Sequence, residues 1–308
     1  MKKPHVFILM LAIAMAFTTG CSPKAPPSGA EAARVFTDAL GREVRVTGCD
    51  RVVVASGSFA QLWLLSGGAL AGTTDDAFKN FEGIPESAAS VGSLMAPGFE
   101  AILALDPDLV ILSADISGQT DLAEPLRSAK ITAAYFSVES FDEYLDMLKI
   151  CTDITGRGDL YEQNGLRLRS AIDGIVARTK DKPSPKILFI RAGAGKVTAR
   201  NSDTMAGAML RDMGCVNIAD SETGLLDRLS MEVIIKEDPD FIFVATQGDS
   251  EEEAQETLRE TLTSNPAWGG LSAVKNNRYV SLPKELFQLK PNNRWDEAYQ
   301  ALWDVLYG

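Results

Sequence analysis

Apolar residues along this chain keep two alternating rhythms. RVFTDALGREVRV, residues 34–46, alternates apolar and polar positions about Leu40-Gly41, which predicts a small β-hairpin. VVVAS at 52–56 is a β-branched run of the kind that a parallel strand covered on both faces requires. Phe59, Leu62, Trp63 and Leu65 then follow helical spacing until Gly67-Gly68 stops the helix. The pattern returns as a strand at 109–113, a helix near 119–129, a strand at 132–136 and a helix over about 140–155. Such alternation implies a lobe built on a mainly parallel sheet.

DLYEQNGLRLRSAIDGIVARTKDK, residues 159–182, places Leu160, Leu166, Leu168, Ile172, Ile175 and Val176 at helical spacing, and Pro183 and Pro185 end the run. It reads as one rigid helix between two halves. A second alternation follows: KILFIR at 186–191, a Gly-rich loop, a helix over about 202–213, a strand at 241–245, a helix over 251–263, the strand RYVSL at 278–282 and a closing helix from about 294 to 306. The expected fold is α/β, with an N-terminal lobe over 34–158, the connecting helix over 159–182 and a C-terminal lobe over 183–308. Each lobe is expected to be a mainly parallel sheet with flanking helices, and the ligand cleft to lie between the lobes.

The first residues change the picture of location. Lys2 and Lys3 precede an uncharged apolar segment from Val6 to Phe17, and Thr18-Thr19-Gly20-Cys21 follows, the layout of a secretory signal over residues 1–20. The apolar segment is too short to span a bilayer as a helix. The small residues ahead of Cys21 resemble a bacterial lipoprotein processing site, with Thr18 where that motif usually has Leu, so Cys21 is the expected lipidation site. SPKAPPSGAEAA, from Ser22 to Ala33, has the composition of a flexible tether.

Charge and rare residues exclude several chemistries. The chain carries 30 basic side chains, and removal of Lys2 and Lys3 with the signal leaves 28 against 42 acidic ones, a net charge near −14 that disfavours nucleic acid. The same cut removes His5, the only histidine, and with it Ser-His-Asp hydrolysis, Cys-His proteolysis and histidine-based zinc chemistry. Cys49, Cys151 and Cys215 are too widely spaced for a clustered thiolate metal site, and no metal is expected. Export permits a disulfide; Cys49 with Cys151 is the expected pairing, and three buried thiols are the alternative. AGAGKVT at 192–198 does not make a nucleotide loop, since Val197 stands where Ser or Thr should follow the lysine.

One feature is duplicated. GFEAILALDPDLVI at 98–111 is echoed by MEVIIKEDPDFIFV at 231–244, with Glu100 and Glu232 each six places ahead of Asp-Pro-Asp. Pro97 suits a first helical position and Ser230 an N-cap, which would put both carboxylates in first helical turns, near the positive end of the helix dipole. An acid there gains stability without a partner. Asp-Pro-Asp and the apolar run after it are explained by folding alone.

These segments carry a resemblance. FTDALGREVRV, RVVVASGSFAQLWLLSGG, VGSLMAPGFEAILALDPDLVILS, MLRDMGCVNIAD, LSMEVIIKEDPDFIFV and NPAWGGLSAVKNNRYVSLP, in this order between Val35 and Tyr307, resemble the substrate-binding proteins that serve bacterial ABC importers of ferric siderophores, haem and cobalamin. The resemblance implies two lobes joined by one long helix, with the ligand between them. It implies a non-enzymatic monomer without a cofactor, lipid-anchored on the outer side of the cytoplasmic membrane. Its partners would be an ABC permease with its ATPase and a small ferric siderophore, corrinoid or haem ligand. The family's permease-docking acids map onto Glu100 and Glu232. Its pocket positions map onto Ser58, Phe59, Trp63, Met95, Arg191, Arg200, Arg294 and Trp295, where arginines among aromatic rings suit carboxylate or catecholate groups.

Two other readings remain open. A haem carrier would need ligation by Tyr135, another tyrosine or Met95. A surface enzyme in the same cleft would draw on acids such as Asp75-Asp76, although no nucleophile, base or metal cluster stands beside them in sequence.

Overall fold

The computed structural model describes residues 33–248 and 250–308. The secretory signal, Cys21 and the tether up to residue 32 lie outside these residues.

The first rhythm builds the N-terminal lobe. Its strands are β1 (Arg34–Thr37), β2 (Glu43–Val46), β3 (Val52–Val54), β4 (Leu70–Thr73), β5 (Ala89–Ser90), β6 (Gly92–Ser93), β7 (Ala96–Pro97), β8 (Leu109–Ser113) and β9 (Ala133–Phe136). β1 and β2 form the expected antiparallel hairpin, and β6 and β7 a second one. The lobe's parallel sheet runs β5-β4-β3-β8-β9. Val53, Val110 and Leu112 point to one face, and Val52, Val54, Leu109 and Ile111 to the other, all essentially without solvent exposure. Each such side chain taken out of water contributes roughly 1.5–3 kcal/mol, which is why these strands read as continuous apolar runs.

The C-terminal lobe repeats the plan with β10 (Lys186–Gly193), β11 (Lys196–Ala199), β12 (Val216–Asn217), β13 (Phe241–Thr246) and β14 (Tyr279–Ser281) in the order β11-β10-β13-β14, with β12 also on β10. β10, β12, β13 and β14 run parallel. AGAGKVT is an antiparallel β-hairpin rather than a loop, with β11 folding back on β10 through Gly195 at φ +73°.

The Asp-Pro-Asp echo has one structural meaning in both lobes. Asp106 and Asp238 sit at φ +45° and +42°, ending the helices Phe99–Ala104 and Met231–Glu237. The second aspartate then ties the next strand to its neighbour: Asp108 accepts the backbone N–H of Arg51 and Asp240 that of Lys186, each at 2.9 Å. Ser230 caps its helix as expected, whereas Pro97 belongs to β7, and Gly98 precedes the first helical residue.

Between the lobes runs a helical segment made of Gly158–Tyr161, a π-turn over Glu162–Leu166 and Arg167–Ala177. Widening at the π-turn leaves a carbonyl to be satisfied from outside, and the Tyr144 hydroxyl donates to Asn164 O at 2.8 Å. Gly165 lies so close to the helix Phe141–Thr155 that a Cβ there would meet Leu145 Cδ2 at 2.9 Å. Leu168, Ile172 and Ile175 share one hydrophobic core with Leu145 and Leu148 of the first lobe, Met209 and Phe243 of the second, and Leu302 of the closing helix Trp295–Tyr307. The connector is therefore packed into both lobes.

The expected Cys49–Cys151 bridge is not formed. Cys151 is a free, fully buried thiol facing this core, and burial pushes its pKa up to about 12. Cys215 is likewise free and buried. Among the described residues no helix is long and apolar enough to cross a membrane.

Candidate ligand cleft

In open parallel sheets, ligands bind beyond the carboxyl ends of the strands. Here the segments that leave those ends in the two lobes touch. Ser58 follows β3, Asp115 follows β8 and Glu139 follows β9; Arg191 lies near the end of β10 and Arg200 just beyond β11, while Lys290 and Asn292 come after β14.

Glu139 is the centre of the contact. Its backbone N–H donates to Glu143 Oε2 at 2.6 Å, and Ser140 caps the helix that follows, so the carboxylate is held in one place. Oε1 accepts from Lys290 Nζ at 2.8 Å, and Oε2 accepts from the backbone N–H of Met205 at 2.9 Å. That N–H opens the helix Met205–Asp212, whose N-cap Thr204 makes no side-chain cap, so a carboxylate from one lobe caps a helix of the other. Asn292, buried and at φ +50°, donates to Ser58 O at 3.0 Å and to Gln61 Oε1 at 2.8 Å. Asp115 accepts from Ser137 Oγ at 3.0 Å; burial raises its pKa, the Ser137 bond opposes this, and Glu139 raises it further.

Beside Glu139 stand two arginines without carboxylate partners. Among the described residues no ion pair involves Arg191 or Arg200, and Arg200 Nε is buried with no hydrogen-bond acceptor. Burial lowers the pKa of Arg191, the positive charge of Arg200 lowers it further, and Glu139 opposes. A guanidinium does not deprotonate in a protein, so this is an electrostatic cost borne by the folded state. Both side chains are half-buried, and two neighbouring guanidinium groups without a carboxylate partner can take an oxyanion as a fork. Among the described residues no group of three or more His, Cys, Asp or Glu side chains is placed to hold a metal ion.

The other expected pocket residues divide. Ser58 is half-buried at the lobe contact. Met95 is 62% exposed, on a turn fastened toward the carboxyl end of β3 by Gln119, whose Nε2 donates to Leu94 O at 2.8 Å and Ala55 O at 2.6 Å. Phe59 and Trp63 are core residues, and the Trp63 indole donates to Ala69 O at 2.9 Å. Trp295 is also fully buried, edge-on to Phe141 at 5.5 Å. Arg294 is exposed and paired with Glu297 at 2.8 Å. Helical spacing at Phe59 and Trp63 signalled packing. Glu139, Lys290, Asn292 and Asp115 were missed; the position of Asp115 and Glu139 just after a strand is a signal that would have found those two, whereas Lys290 and Asn292 lie well beyond β14.

Tyr135 and the Asp75-Asp76 pair are engaged elsewhere, while Met95 stays exposed. Tyr135 has no solvent exposure, donates to Gln119 O at 3.0 Å and has its pKa raised to about 12 by burial, so its hydroxyl is held in the lobe interior. Asp76 Oδ2 accepts the Gly57 N–H at 3.0 Å and Asp75 Oδ1 accepts from Ser90 Oγ, which are structural tasks. A separate concavity of about 1020 Å³ on the flank of the second lobe is lined by Glu252, Glu253 and Glu256, charges that repel an oxyanion.

Glu100 and Glu232 are exposed in the first turns of their short helices, one in each lobe.

Known proteins agree with this architecture. The chain is similar to the Fe(3+)-citrate-binding protein YfmC of Bacillus subtilis, with 25% identity over 92% of this chain and 90% of the relative. A cobalamin-binding protein of Halobacterium salinarum is 27% identical over 79% of this chain and 68% of its own length. Among solved structures, S. aureus IsdE complexed with heme superposes with a TM-score of 0.72 at 19% identity, covering 85% of this chain and all of that one. Staphylococcus aureus SirA complexed with staphyloferrin B gives 0.68 at 20% identity, over 89% and 98%. Residues 52–286 match the family described as periplasmic binding protein, and the chain belongs to that family.

Proposed function

We propose that this chain is the substrate-binding component of an ABC importer, and that its inter-lobe cleft captures an anionic ferric chelate, a siderophore or ferric citrate, for delivery to a membrane permease. The observation that carries the ligand class is the pair Arg191 and Arg200, half-buried near each other without carboxylate ion pairs among the described residues, beside Glu139 and Lys290. Carboxylate and catecholate chelates of iron(III) present several oxyanions, which guanidinium groups bind as forks. Curated relatives named for Fe(3+)-citrate and petrobactin binding support the same class.

The family is one of transporter binding proteins, not enzymes, and works in the cell envelope. Cys21 is the lipidation site in this reading, the following residues are the tether, and Glu100 and Glu232 dock on arginines of the permease. The mature protein acts as a monomer.

Purification of the full chain from iron-limited source cells, with mass and visible spectra of what co-purifies, tests the ligand class. An iron(III) chelate carrying carboxylate or catecholate groups is expected. A haem Soret band, a corrinoid spectrum or a ligand without oxyanions would contradict it.

A further inference from the structure

The two docking helices share more than an acid. Glu100-Ala101-Ile102-Leu103 and Glu232-Val233-Ile234-Ile235 are the same motif. In each, the isoleucine two places after the glutamate has no solvent exposure and fastens the helix to its lobe. The next residue is apolar and left open to water: Leu103 is 42% exposed and Ile235 45% exposed. Residues three apart on a helix are neighbours, so each exposed apolar side chain stands beside its glutamate on one face. The helix dipole accounts for the acid, but folding does not ask for an exposed apolar side chain beside it. Among the described residues no ion pair involves Glu100 or Glu232, and Lys236, the cation next in sequence to Ile235, is paired with Glu222 and Glu237.

We infer that Leu103 and Ile235 are the apolar halves of two matching two-part docking contacts, each made with a permease surface that sets an apolar patch beside an arginine. This rests on the reading of Glu100 and Glu232 as permease-docking acids. An exposed ion pair is weak because water screens it. An apolar side chain pressed against the partner beside it excludes that water and supplies affinity that salt does not remove. Repetition of the device in both lobes fits a partner that presents the same patch twice, as a two-fold symmetric permease does.

The test uses the full chain and right-side-out membrane vesicles of the source cell lacking its own copy, with liposomes of the same extracted lipids as background. Saturable binding above that background is measured at low and high salt for the native chain, for Leu103→Gln with Ile235→Gln, and for Glu100→Ala with Glu232→Ala. Glutamine keeps the bulk and helix-forming tendency of the side chain, and an unchanged unfolding midpoint serves as the folding control. The expected result is a loss of about tenfold or more for the glutamine pair at both salt concentrations. The alanine pair should lose affinity chiefly at low salt. Native affinity in the glutamine pair with loss in the alanine pair would overturn the apolar contact and leave docking by the acids standing. No loss in the alanine pair, or no saturable binding by the native chain, would overturn the docking reading itself.

Discussion

Glu139 of the first lobe accepts a hydrogen bond from Lys290 Nζ of the second at 2.8 Å, while its other oxygen caps the helix that begins at Met205. One carboxylate thus occupies a cation and a helix N-terminus beside Arg191 and Arg200, groups that an anionic ligand would also seek. Glu139→Gln removes the negative charge but keeps an acceptor oxygen. Affinity for ferric citrate should rise by roughly 3–10-fold, with a steeper dependence on salt. Stability should fall by about 1 kcal/mol, since Lys290 loses its ionic partner while half-buried. Titration followed by tryptophan fluorescence, paired with urea unfolding, measures both.

Tyr135 gives a negative expectation for haem. Its hydroxyl is held by Gln119 O in the interior of the first lobe. Tyr135→Phe should cost about 1 kcal/mol of stability, the usual net worth of such a bond, and leave ligand binding unchanged. Added haem should show no tyrosinate-to-iron band that this substitution abolishes.

Asp108 and Asp240 should behave as a pair. Asp108 accepts the backbone N–H of Arg51, the residue before β3, and Asp240 that of Lys186, the first residue of β10. Asp108→Ala and Asp240→Ala should each lower stability by about 1–2 kcal/mol in urea unfolding, with ligand affinity within twofold of the native protein. Unequal losses would show that the two turns are not equivalent.

Much of this fold was legible because its strands are covered on both faces. VVVA, LVIL, ILFI and FIFVA leave no polar position to confuse the period, and buried parallel strands are their natural reading. The echoed Asp-Pro-Asp was legible too, since proline and a left-handed aspartate end a helix by local chemistry. The site was less legible. Arg191 and Arg200 were within reach only through the resemblance, as positions that line the family's pockets. Phe59, Trp63 and Trp295, mapped to the pocket by the resemblance, are buried in the core; aromatic residues that line a cleft and those that fill a core have the same spacing. Glu139 and Lys290 lie far apart in the chain, and no local pattern links them.

The thiols carry a pH signature. Burial pushes the pKa values of Cys151 and Cys215 from 9.0 up to about 12. In the folded protein both should resist alkylation at pH 8 and react only after unfolding. An acid with a raised folded pKa favours the folded state less as pH rises. Their contribution to stability is therefore present below about pH 9 and lost as pH climbs from about 9 toward about 12. Replacing both by Ala should flatten that part of the stability profile measured by thermal unfolding.

The most direct measurement of the cleft's purpose compares ferric citrate binding and unfolding in the native chain and in Arg191→Met with Arg200→Met. Half-buried, unpaired cations kept for a ligand cost the empty protein stability, so the double variant should lose affinity by about 100-fold or more while its urea midpoint holds or rises. Unchanged affinity in the variant, or a midpoint that falls together with binding, would contradict the assignment of these arginines to an anionic ligand.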